Sequence, residues 1–145
     1  MTSKPRSDNG QAIVEFAFVL PFVLILVLGI IEFGVLFYDK AMITNASREG
    51  ARAGIVYQDT NHDDVYDPHS ESQIKTAVDA YLDGKLIDFS GTPNWETDVP
   101  SNEATSPGGR VRVVVTYHHT FLALGRFVGW GDAIDIDAET TMRVE

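Results

Sequence analysis

The sequence predicts an α+β protein in which one long N-terminal helix, apolar over its first half, packs its second half on a small antiparallel β-sheet. Three observations carry that prediction: a charge-free apolar run from Phe16 to Ile31, small residues recurring at helical spacing beyond it, and alternating segments at 110–117 and 134–144.

The apolar run reads FAFVLPFVLILVLGII, is interrupted by Glu32, and resumes as FGVLFY to Tyr38. Taken as one helix, 16–38 is roughly 35 Å long at 1.5 Å per residue, enough to cross a hydrocarbon core of about 30 Å. A domain built from the rest of the chain could hardly bury such a helix on every side, so a membrane span is expected. A cleaved secretory signal fits less well. Lys4 and Arg6 could serve as its basic region, but the run is long, no small-x-small site follows it, and Glu32 is succeeded by large apolar residues. Basic residues flank both ends, Lys4 and Arg6 before the run and Lys40, Arg48 and Arg52 after it, so their count does not orient the span.

Beyond Tyr38, Met42, Ala46, Gly50, Ala53 and Tyr57 recur at spacings of three or four and give the helix a face of small residues that another element can approach closely. One helix over 11–57, with 16–38 as its transmembrane part, would be roughly 70 Å long. Pro21 removes a backbone donor inside it and could kink it. Residues 58–145 remain for an acidic α+β domain. Within it, Ser70 or Ser72 can cap a short amphipathic helix with Ile74, Val78, Tyr81 and Leu82 inside and Gly84 at its end. The stretch from Gly91 to Gly109, rich in Pro, Ser, Thr, Asn and Gly, reads as a long connection with room for a short strand at Trp95. Val111, Val113, Val115 and Tyr117 alternate with Arg110, Arg112, Val114 and Thr116. Ile134, Ile136, Ala138, Thr140, Met142 and Val144 alternate with Asp135, Asp137, Glu139, Thr141, Arg143 and Glu145. If these two strands pair antiparallel through the connection from Gly125 to Gly131, the acidic start of the second meets the end of the first, and Arg143 and Glu145 approach Arg110 and Arg112.

The chain carries 11 basic and 21 acidic residues, a net charge of −10. Nearly all of the excess lies beyond Tyr38, which disfavours nucleic acid or an anionic bilayer surface as a partner of that part. There is no cysteine, hence no disulfide framework and no thiolate metal site.

The densest acidic run is Asp59-Thr60-Asn61-His62-Asp63-Asp64-Val65-Tyr66-Asp67. Oxygen donors at Asp59, Asn61 and Asp63, a carbonyl at Val65 and a carboxylate at Asp67 follow the spacing of a calcium-binding loop. Asp64 stands where such a loop takes glycine, and Ser70 stands where it takes the bidentate acid, with Glu71 one residue late. A solvated acidic loop is the competing reading. His62 and His69 with Asp63 or Asp67 suggest zinc more weakly. His118 and His119 are adjacent on an expected strand and should point to opposite faces. No nucleophile motif, phosphate loop or carboxylate pair is apparent, and an enzyme is not expected.

Two carboxylates accompany the apolar run, and a carboxylate in or near hydrocarbon requires a partner, a proton or the interface. For Glu32 the sequence leaves two accounts, the outer headgroup layer and contact with a neighbouring subunit. Glu15 belongs to the string Gly10-Gln11-Ala12-Ile13-Val14-Glu15-Phe16, a polar leader ending in glycine, with glutamate five residues later and an aromatic residue opening an apolar helix. This string resembles the processing signal of type IV pilins and their relatives. Over Gly10 to Gly54 the sequence looks like the TadE family of minor pilins and pseudopilins of tight-adherence (Tad, Flp-type) pilus systems. The likeness rests on the Gly10 and Glu15 spacing, Pro21, Ile31-Glu32-Phe33-Gly34, and Asn45-Ala46-Ser47-Arg48-Glu49-Gly50-Ala51-Arg52, with Thr141-Met142-Arg143-Val144-Glu145 as a weaker match at the end.

The resemblance implies a pilin-like fold and a cytoplasmic-membrane location with the N-terminus inside and the C-terminal domain outside. It further implies a prepilin peptidase that cuts between Gly10 and Gln11, and other pilin or pseudopilin subunits as partners. The new amine at Gln11 would be neutralised by Glu15 of a neighbouring subunit. The other reading left open is an uncleaved single-pass protein whose outer domain binds calcium or a partner.

Overall fold

The computed structural model describes residues 8–56, 70–89, 91–102, 108–125, 129 and 131–144. Helix α1, Asp8–Ile55, is continuous over 48 residues and retains Pro21 inside it, a length of about 72 Å at the standard rise. The expected helix over 11–57 is thus present with its start moved three residues outward, and Tyr57 lies outside the described residues. Helix α2, Glu71–Leu82, begins at Ser70, whose hydroxyl accepts the Gln73 N–H while the Gln73 side chain returns to the Ser70 N–H. This reciprocal cap satisfies two donors that the first turn would leave open. Of the two candidate serines, Ser70 is the cap.

Three strands follow: β1, Trp95–Asn102; β2, Arg110–Thr120; and β3, Ala133–Arg143. They form one antiparallel sheet in the order β1-β2-β3. The strand expected at Trp95 is real and longer than its sequence suggests. It is an edge strand, and its register shifts between Asp98 and Ser101, where Pro100, which has no N–H to give a ladder, is accommodated. The expected β2–β3 pairing holds, with Arg143 opposite Arg110, Asp135 opposite His118 and Asp137 opposite Thr116. Arg112 reaches diagonally to Glu139 at 2.7 Å, and Glu145 lies outside the described residues.

Both helices cover one face of the sheet. Val111, Val113, Val115 and Tyr117 of β2, Val99 of β1 and Ala138 of β3 meet Ile43, Ala46 and Ala51 of α1 and Ile74, Val78 and Leu82 of α2. The helix face that packs is rotated slightly from the expected one. Ala46 and Gly50 are buried as expected and Met42 and Ala53 only partly, while Ile43, Ser47, Ala51 and Gly54 complete the contact.

Glycine decides how close the layers come. A Cβ on Gly50 would lie 2.6 Å from Val78 Cγ2, and one on Gly54 would lie 2.9 Å from Val111 Cγ1. Strand β2 therefore runs down α1 in the opposite direction, with Val111 at Gly54, Val113 near Gly50, His119 at Asp39 and Leu124 at Gly29. The connection after β2 is itself folded. Phe121 N–H donates to the Asp132 carbonyl at 2.9 Å, and a Cβ on Gly125 would lie 2.2 Å from the Gly131 carbonyl oxygen, so the two arms pass as only glycine permits.

Candidate functional site

This packing divides α1 into two parts of different chemistry. From Gly10 to Val27 every residue is exposed, including Phe16, Phe18, Phe22 and Leu26; from Gly29 to Ile55 the sheet and α2 cover one face. The most apolar part of the helix has a mean hydropathy of 2.8 with none of it buried. That length of exposed hydrocarbon requires a non-aqueous environment, which either a bilayer or a bundle of like helices supplies.

The two glutamates of the apolar segment fall on opposite sides of this division. Glu15 is exposed, and its one described hydrogen bond is local, accepting from Gln11 Nε2 at 3.0 Å across one helical turn. Such an exposed pair is worth only a few tenths of a kcal/mol, about 0.2–0.5. Gly10 and Phe16 are exposed as well, with open space around the Gly10 Cα. The bond between Gly10 and Gln11 lies in the first turn of α1, where N–H groups have no partner four residues back and the helix frays most easily.

Glu32 is different. It is 1% exposed, and its carboxylate accepts the backbone N–H groups of Ala123 and Leu124, the latter at 2.9 Å. Neither account drawn from the sequence describes this, because both looked for a partner outside the chain. In the folded chain the partner is a pair of amides in the connection after β2, and the carboxylate is enclosed by its own protein. A neighbouring subunit is therefore not needed to satisfy this carboxylate.

A second buried carboxylate stands two turns further along the same face. Asp39 and His119 are both fully buried, with Asp39 Oδ2 3.0 Å from His119 Nδ1, and Asp39 Oδ1 accepts the Ile87 N–H at 3.0 Å. The imidazole lies edge-on between Tyr117 and Phe121, at centroid distances of 6.1 and 5.5 Å, and its Nε2 has no hydrogen-bond partner among the described residues. Tyr117 donates its hydroxyl to the Ile87 carbonyl at 3.1 Å and lies near Asp88. Burial raises the tyrosine pKa well above its ordinary value, and the nearby Asp39 and Asp88 add to the shift. Further up, Ser47 Oγ lies 2.8 Å from Thr140 Oγ1. Glu32, Asp39 and Ser47 thus pin the helix to the head at three heights. As expected of neighbours on a strand, His118 faces away from His119, and it is half-buried beside Asp135.

Of these residues, the sequence singled out Glu32 and the two histidines but not Asp39 or the amides of Ala123 and Leu124. The available signals were the seven-residue interval from Glu32 to Asp39, two helical turns on one face, and the position of His119 in the buried alternation of β2. The calcium-loop residues Asp59, Asn61, Asp63, Val65 and Asp67, and also His62 and His69, lie outside the described residues. Among the described residues no group of three or more acidic or histidine side chains is arranged to hold a metal ion.

Residues 10–52 match the family model described as TadE-like protein. The match begins at Gly10, ends in the last turn of α1, and includes none of α2 or the sheet. No curated protein and no solved structure matches the chain.

Proposed function

We propose, from the TadE-like match over 10–52, that this chain is a minor pilin or pseudopilin that acts structurally in assembling a Tad/Flp-type pilus or a related secretion filament. The observation that carries the reading is the exposed apolar half of α1 together with Glu15, a carboxylate at its start with only a weak local partner. In this account α1 crosses the cytoplasmic membrane once with its N-terminus inside, and the sheet domain stands outside. A prepilin peptidase removes residues 1–10, and the new amine of Gln11 is a cation that Glu15 of an adjacent subunit neutralises, fixing axial register. A cation at a helix N-terminus opposes the helix dipole, so a carboxylate supplied by a neighbour is worth more there than elsewhere. The apolar halves then leave lipid and pack on one another. The role needs no catalysis.

Replacing Glu15 with alanine tests this directly. Membrane insertion should be unchanged, because the apolar run and the head are untouched, while incorporation into filaments should be lost. Full assembly of the variant would remove the register role.

The acidic sequence Asp59–Asp67 favours a second reading, an uncleaved anchored module that binds calcium outside the membrane. Thermal unfolding of the full chain in detergent, with and without millimolar calcium, decides it: calcium should raise the midpoint if the loop binds, and an unchanged midpoint excludes the site.

A further inference from the structure

The connection after β2 meets α1 at a height that a membrane-spanning helix makes unusual. Between Glu15 and Glu32 the charge-free part of α1, Phe16–Ile31, is about 24 Å long at the helical rise, shorter than a hydrocarbon core of about 30 Å. On the side away from the sheet, exposed Phe33, Phe37 and Tyr38 extend the apolar surface upward. On the sheet side the head is already present at Gly29, whose missing Cβ would touch Leu124 Cδ1 at 3.5 Å. The lower edge of the head therefore lies level with the upper part of the span.

Among the described residues of that edge, three large apolar side chains are exposed. Leu122, two residues past the end of β2, is 54% exposed, and Ile134, which pairs with His119, is 40% exposed. Phe89 follows Asp88, whose carboxylate accepts the Thr120 hydroxyl at 3.0 Å, so it reaches the same end of β2 and is 37% exposed. Irregular backbone enters a low-dielectric layer only if its polar groups are satisfied. Here Glu32 accepts the N–H groups of Ala123 and Leu124, and the Asp132 carbonyl accepts that of Phe121. Asp132 and Asp135 border the edge and are exposed, which limits its depth to the interfacial layer.

We propose that the start of the β2–β3 connection, residues 121–125 with Leu122 exposed among them, seats in the interfacial layer of the bilayer beside α1, and that Glu32 caps the amides of Ala123 and Leu124 there. The proposal rests on the reading of α1 as a membrane span. It gives the buried Glu32 a purpose that the filament reading alone does not supply: the head is docked on the lipid as well as on its helix while the subunit waits in the membrane.

The absence of cysteine permits a site-specific test on the full chain in phosphatidylcholine vesicles. Single substitutions Leu122→Cys, Ile25→Cys and Ser72→Cys carry an environment-sensitive fluorophore, quenched in turn by spin labels at the lipid headgroup, by spin labels midway along the acyl chain, and by aqueous iodide. Ser72 lies in the first turn of α2, near the end of the head farthest from the span, and reports water. The proposal predicts strong headgroup quenching at Leu122, with iodide quenching several-fold weaker than at Ser72, and acyl-chain quenching at Ile25. Iodide quenching at Leu122 equal to that at Ser72, with Ile25 deep, overturns the docking and leaves the span intact. Protection of Leu122 from both iodide and lipid labels would mean a protein contact and also overturns it. A shallow Ile25 would remove the span itself, and the docking with it.

Discussion

Glu15 and Glu32 are the same residue type in one apolar helix, and the difference between them is where their hydrogen bonds go. Glu32 spends both oxygens on amides that would otherwise be buried without acceptors. Glu32→Ala should therefore destabilise the head by about 3 kcal/mol, the cost of leaving two buried donors unpaired, and Glu32→Gln by less, because one acceptor remains. Unfolding in detergent, with amide exchange at Ala123 and Leu124 as the local probe, measures both. Tyr117 gives a pH dependence. Its pKa is raised above the ordinary value of 10.0, so the folded chain holds the phenolic proton where the unfolded chain has released it. Stability from this group is complete below about pH 10 and falls above it by up to about 1.4 kcal/mol per pH unit until the folded value is reached. Tyr117→Phe should lower stability at neutral pH by about 1 kcal/mol for the lost hydrogen bond to the Ile87 carbonyl and flatten the alkaline limb. An unchanged alkaline slope would assign that loss to other groups.

At the scale of elements, the small face of α1 is the device that brings sheet and helix together. Alanine in place of an exposed helical glycine gains about 1 kcal/mol, and Gly34, with open space around it, should tolerate that change without loss. Gly50→Ala should lose about 1–2 kcal/mol net, because the new methyl meets Val78 Cγ2, whose β-branched side chain has one comfortable rotamer in α2. Denaturation of the two variants in detergent compares them; equal stability would mean that the layers can separate at no cost. This face was legible in the sequence because Ala46 and Gly50 recur at helical spacing, and the β2–β3 register was legible because both strands alternate without a break. The 32-39-43-47 edge was not. A buried carboxylate looks like a surface residue until its partner is known, and the amides of Ala123 and Leu124 leave no mark in the side-chain pattern. The length of β1 was hidden for a related reason: Pro100 and the polar residues around it are turn formers, and only pairing along β2 overrides them.

At the scale of the molecule, a head domain fixed to one half of a long helix leaves the other half free to change its surroundings. The head is held by Ile43, Gly50 and Gly54 against β2 and α2, and by Glu32 and Asp39 against the connections. Transfer of the exposed half from lipid into a helical bundle would break none of these contacts. The acidic head opposes adhesion to nucleic acid or to anionic lipid over its broad surface. The central claim is pilin-type processing and assembly. It is tested most directly by the intact mass and N-terminal sequence of the protein recovered from membranes of cells that contain the matching prepilin peptidase. The account predicts a chain beginning at Gln11; a chain that still carries residues 1–10 beside an active peptidase would contradict it and favour the permanently anchored module.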